Sequence, residues 1–146
     1  MNKDMLMIDG LQYVNWNRGL FEQAQRSGLH AIHVTIAYWE NSRETLENIG
    51  HWNRHFLDHG DLIMPVHQAA DILEAKRLGK VGIIFGFQNC SPMEDDVKMV
   101  QILHQLGVRI MQLSYNNQSL LATGCYEDQD GGITRFGRQV ISEMNR

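Results

Sequence analysis

His51, His55 and His59 recur at every fourth residue, the spacing at which histidines on a helix bind zinc in pairs. Hydrolytic pairs of this kind carry a glutamate between them, and none stands here. The apolar stripe of the same segment is Leu46, Ile49, Trp52 and Phe56. At helical pitch the three histidines fall largely on the opposite side, so a solvated face is expected. Glu127, Asp128 and Asp130 before Gly131 look like the start of a calcium loop. The later glutamate ligand of an EF-hand is missing, and an exposed acidic loop is expected instead. Cys90 falls between a strand and a helix start, where a thiolate would be favoured. With no histidine partner in view it reads as a buried, inert thiol. Cys90 and Cys125 form neither a CxxC nor a metal-binding spacing. No glycine-rich phosphate loop is present, and Gly82 and Gly86 lie inside an apolar run, where they mark close packing. The spacings thus nominate no catalytic residue and no metal ligand.

The elements around these residues alternate. Met5 to Leu11 is a short apolar run, and Asn17 can cap a helix with Leu20, Phe21 and Ala24 inward, ending at Gly28. His30 to Trp39 is rich in β-branched and aromatic residues and reads as a strand. Asn41 with Glu44 forms a capping box for a helix through His59, stopped by Gly60. Leu62 to Val66 is a short strand that Pro65 keeps at an edge. A helix from about Ala69 closes at Gly79. Val81 to Phe87 is apolar on both faces, as a strand covered on both sides must be. Ser91, Pro92 and Glu94 predict the next helix start, with Val97, Val100, Leu103 and Leu106 inward and Gly107 at its end. Val108 to Tyr115 is a strand. A polar loop leads to a last helix near Thr134, with Phe136, Val140, Ile141 and Met144 inward.

Strands joined by helices imply a parallel sheet, here about four β/α units in a single partial domain over residues 1–146. A full eight-unit barrel takes about 250 residues. The last helix carries no stop signal before Arg146, so the fold expected is α/β, the N-terminal half of a TIM-type (β/α)8 barrel. A small open sheet of flavodoxin type is the alternative. Half a barrel leaves open strand edges, which favour self-association.

Composition excludes several roles. The 146 residues carry a net charge of -4, with no Lys/Arg cluster for nucleic acid. No apolar run is long enough to span a membrane, and the stretch from Met1 to Asp9, with Lys3 and Asp4, lacks a signal-peptide core. Two thiols in an otherwise Cys-poor chain suit the cytoplasm.

In such folds chemistry gathers at the C-terminal ends of the strands. Those ends are Leu11 to Tyr13, Trp39-Glu40, Phe87 to Cys90 and Tyr115 to Gln118. They offer amides, phenols and one carboxylate.

Several segments are similar to the membrane (renal) dipeptidase family, in order along the chain. They are Ile8-Asp9-Gly10 with Trp16, Gly79-Lys80-Val81-Gly82, Leu106-Gly107-Val108-Arg109, Met111-Gln112-Leu113-Ser114, and Gly132-Ile133-Thr134-Arg135-Phe136-Gly137 running to Glu143-Met144-Asn145-Arg146. The resemblance implies an amidohydrolase-type barrel in which two zinc ions activate water to hydrolyse dipeptides. It also implies that Leu11 and Tyr13 stand where the family has a zinc-binding His and Asp. Gln88 stands in place of a bridging glutamate, and Tyr115 in place of a histidine that touches the substrate. On this reading Gln88, Asn89, Tyr115 and Asn116 line a substrate pocket, zinc is a family cofactor that these residues do not ligate, and the chain alone is inactive. The alternative is a barrel without this chemistry, or with an altered metal, that binds a small molecule or a partner. The partners expected are a small-molecule or dipeptide substrate, and a second copy or the missing C-terminal half, with neither nucleic acid nor membrane.

Overall fold

The computed structural model describes residues 5–146, so Lys3 and Asp4 lie outside the described residues. Its strands are β1 (Ile8–Gln12), β2 (Ala31–Ala37), β3 (Ile63–Pro65), β4 (Val81–Phe87) and β5 (Val108–Met111). Its α-helices are α1 (Arg18–Arg26), α2 (Ser42–Asp58), α3 (Ala69–Leu78), α4 (Met99–Gln105) and α5 (Arg135–Met144). Strand order is β1-β2-β4-β3, with β5 also on β4. The chain forms two compact units, one running to Thr35 and resuming over Gly50–Phe85, the other Ile36–Ile49 with Gly86–Arg146.

In the first unit β1 runs parallel to β2 and β3 parallel to β4. The β1 register shifts between Asp9 and Gln12. The Asp9 carboxylate accepts the Leu11 amide at 3.1 Å and the Gln12 side-chain amide at 2.6 Å, which holds that bulge and re-aims the residues after it. The Asn17 side chain accepts the Leu20 amide and caps α1, which buries Phe21 and Ala24 as the periodicity requires. Gly79, at φ 67°, closes α3 in the left-handed conformation that glycine adopts without cost. Every residue of β4 is buried. A side chain at Gly82 would collide with Val66, so glycine lets β4 approach its neighbours.

In the second unit Asn41 and Glu44 exchange side-chain-to-amide bonds of 3.0 Å each, the capping box the sequence predicts. The predicted helix start at Ser91 is corrected. Ser91–Met93 makes only a 3-10 turn, and α4 begins at Met99. Glu94 takes a positive φ of 49° and its carboxylate accepts the Ser42 hydroxyl. It therefore never folds back to cap the Ser91 turn, and the chain kinks before the helix. Within that helix Val100 and Leu103 are buried while Leu106 is exposed. Thr134 caps α5 through the Gly137 amide at 2.9 Å. A side chain at Gly137 would run into the Leu121 carbonyl.

Candidate active site at the strand ends

The second unit gathers three of the four strand ends that the sequence singles out. Gln88 donates its amide to the Ala37 carbonyl at 2.9 Å, and Gln112 donates to Phe87 at 3.0 Å. These bonds carry the ends of β2, β4 and β5 together. Gln88 is half-buried and Asn89 is buried. The Asn89 side-chain oxygen accepts the Cys90 amide at 2.9 Å, and the Cys90 thiol donates to the Leu113 carbonyl at 2.8 Å. Burial raises the Cys90 pKa above its ordinary value, partly opposed by the hydrogen bond from Ser119. Burial disfavours the thiolate, in line with the buried, inert thiol that the sequence reading expects.

Tyr115 and Asn116 are half-buried in the segment after β5. The Asn116 carbonyl accepts the Tyr126 amide at 2.8 Å. That bond folds the long loop back onto the strand end. At the loop base the Ser119 hydroxyl donates to the Leu113 carbonyl and accepts the amides of Leu121 and Ala122. A side chain at Gly124 would meet the Asn116 and Asn117 carbonyls, so the loop closes only over glycine. The acidic tip is exposed as expected, with Glu127 taking the Gln118 amide and Asp130 the Gly132 amide.

A constellation missed by the spacings surrounds Tyr115. Tyr38 and Trp39, immediately after β2, stand with Tyr115 in mutual ring contact, with centroids 5.6 to 6.1 Å apart. Glu40 anchors this corner by accepting the amides of Tyr38 at 2.7 Å and Trp39 at 3.0 Å. Tyr38 and Trp39 directly follow β2, but Tyr115 lies four residues beyond β5, so no local pattern signals the grouping.

The remaining strand end, in the first unit, differs. Leu11 is 42% exposed and Tyr13 62% exposed. Among the described residues no group of three or more His, Cys, Asp or Glu is placed to hold a metal ion. The side chains at these four strand ends are aliphatic, aromatic or amide apart from the buried Cys90 thiol and Glu40, and Glu40 is engaged by two backbone amides. These residues do not fit a two-zinc centre, which needs several imidazoles and carboxylates.

The histidines of α2 also require correction. His51 is exposed, but His55 and His59 are half-buried. Phe21 meets both, with centroids 5.5 and 5.4 Å away. The inward stripe of α2 is Thr45, Ile49 and Trp52, with Leu46 in solvent. That rotation carries His55 and His59 to the edge of the core. A cavity of about 420 Å3 lies among α4, β5 and α5, lined by Val100, Leu103, Val108 and Met144 among others, and includes none of the strand-end residues above.

A parallel α/β scaffold with a polar and aromatic strand-end site is the class defined so far. The sequence model of the membrane dipeptidases (Peptidase family M19) matches residues 13–146, and the chain belongs to that family. Among solved structures, an amidohydrolase from Pseudomonas aeruginosa is 46% identical, with a TM-score of 0.95 over 99% of this chain and 44% of that one. A metallopeptidase from Rhodobacter sphaeroides, liganded with a phosphinate mimic of L-Ala-D-Ala, is 16% identical with a TM-score of 0.83, covering 97% of this chain and 56% of that one. The dipeptidase verJ of Clonostachys rogersoniana is 24% identical over 115 residues, 77% of this chain and 30% of its own length. The chain therefore spans under a third of that curated relative. Its fold is that of the N-terminal half of the TIM-like barrel of these dipeptidases. Among the described residues no helix is long and apolar enough to cross a membrane.

Proposed function

We propose that this chain is the N-terminal part, a single partial domain over residues 1–146, of a dipeptidase-type hydrolase. Its strand ends line the substrate pocket without holding the metal. The carrying observation is the family match over residues 13–146, combined with strand ends whose side chains, Glu40 apart, carry no charge. Leu11 and Tyr13 stand where the family resemblance places metal ligands, and neither an alkyl chain nor a neutral phenol holds a divalent ion. Gln88 has carboxamide geometry but no charge to hold two cations close together. A metal bound by the remainder of the barrel would supply Lewis acidity and an activated water. This chain's residues would bind and orient. Gln88 and Asn116 offer amides to a substrate carbonyl or amine, Asn89 fixes the turn after β4, and Tyr115 supplies a ring wall with a phenol. The pocket would take a dipeptide or similar small amide.

The replaced positions also favour a second reading, a barrel that binds a small molecule without turnover. The full-length protein separates the two. Stoichiometric zinc with dipeptide hydrolysis, and a raised KM in Gln88→Leu, supports the hydrolase. Absence of both metal and turnover leaves the binder.

A further inference from the structure

The corner formed by Tyr38, Trp39 and Tyr115 has the chemistry of a cation site. Its interplanar angles are 59°, 67° and 77°, so the rings form an inclined corner rather than a flat stack. Trp39 keeps half its surface in solvent, at 50% exposure. Tyr38 and Tyr115 are half-buried. Beside the backbone that carries two of these rings sits the half-buried Glu40 carboxylate. One of its oxygens accepts the Tyr38 and Trp39 amides, and the other faces the Asn48 side-chain amide at 3.5 Å. Asn48 is itself held by the Ile36 carbonyl at 2.9 Å. Every one of these partners is neutral. Among the described residues Glu40 joins none of the ion pairs.

A carboxylate that joins no ion pair among the described residues, on the residue that follows two rings of a partly exposed cluster, favours an organic cation. An anionic group would be repelled there. A bare metal ion would find one carboxylate already engaged by amides, and among the described residues no group of three or more His, Cys, Asp or Glu placed to hold it. A primary ammonium needs hydrogen-bond acceptors to replace its water, and ring faces supply none as strong. An alkylated ammonium is weakly hydrated and spreads its charge over methyl groups that fit ring faces.

We propose that Tyr38, Trp39 and Tyr115 bind the alkylated ammonium group of the substrate, with Glu40 supplying the counter-charge. The proposal rests on the reading of these strand ends as the substrate pocket, and narrows its substrate class to compounds with a methylated, positively charged nitrogen.

Choline and its uncharged isostere 3,3-dimethyl-1-butanol test it at constant ionic strength. Binding to the 146-residue chain is read from the Trp39 indole signal by NMR, with Trp16 and Trp52 as internal controls. Variants are read by ligand-observed NMR. The expected result is a saturable shift of Trp39 with choline, and at least fivefold weaker binding of the alcohol. Trp39→Leu and Tyr115→Leu each weaken choline about two- to fivefold, Trp39→Phe retains most of the affinity, and Glu40→Gln weakens choline but not the alcohol. Equal binding of choline and the alcohol overturns the proposal, as does unchanged choline affinity in both ring variants. Gln88→Leu separates the two readings. If it weakens ligands that bind without regard to charge, the pocket stands and the cation site falls. If choline is preferred but indifferent to Gln88→Leu and Asn116→Leu, the cation site stands and the pocket reading falls.

Discussion

Two groups of aromatic rings in this chain pack at similar distances and differ in surroundings. In the first unit Trp16, Phe21, Trp52, Phe56 and Phe85 pack through centroid distances of 5.4 to 6.1 Å, with His55 and His59 against Phe21. Phe21 is wholly buried and Trp52 and Phe85 nearly so. In the second unit Tyr38, Trp39 and Tyr115 touch at similar distances, but at strand ends, with Trp39 half in solvent and a carboxylate fixed beside them. Ring contact alone does not distinguish core from site. Burial and the neighbouring charge do, because apolar area removed from water stabilises the fold whereas area left open is available to a ligand.

The largest test of this contrast is Phe21→Ala. Removing a fully buried ring at the centre of the first group is expected to cost about 3–5 kcal/mol in urea unfolding. A loss below about 1 kcal/mol would show that this cluster is not the core it resembles.

The second unit has its own tight packing, away from its rings. Gly137→Ala drives a methyl group into the Leu121 carbonyl and is expected to cost about 1–3 kcal/mol by the same measurement. No change would mean that α5 shifts freely over the loop.

Acid should weaken the first unit through His55. Burial lowers its pKa from the ordinary 6.5, aided by the charges of His59 and His51 and opposed by Asp58. The folded state then binds a proton less readily than the unfolded chain. Stability is full above pH about 6.5 and falls as pH drops through that value toward the lowered one. Urea midpoints measured between pH 7.5 and 5.5 should fall, and His55→Gln should flatten that slope. An unchanged slope would place the acid sensitivity elsewhere.

The smallest expected effect belongs to the open corner. Trp39→Ala should change stability by no more than about 0.5 kcal/mol. A loss comparable to that of Phe21→Ala would make the corner a second core and erase the contrast.

Local signals were legible in the sequence where their partners lie within one turn of chain. The Asn41–Glu44 capping box, the Asn17 and Thr134 caps and the Gly79 stop are all of this kind. The Ser91–Pro92–Glu94 start was misread because the Glu94 carboxylate is taken by Ser42, far away in sequence. The apolar pattern puts His55 and His59 in solvent only if Leu46 faces inward. It lies outward at 52% exposure, and Thr45 takes the buried position. The positions of the strand ends were legible, since β/α alternation fixes them. The aromatic corner was not, because it joins residues 38–39 to residue 115 and no local pattern pairs them.

The central claim is that these strand ends bind without ligating metal. Zinc titration of the purified 146-residue chain, followed by metal analysis after dialysis and a dipeptide hydrolysis assay, tests it most directly. The account predicts no retained zinc above background and no turnover. Stoichiometric zinc with dipeptide hydrolysis by this chain alone would contradict it.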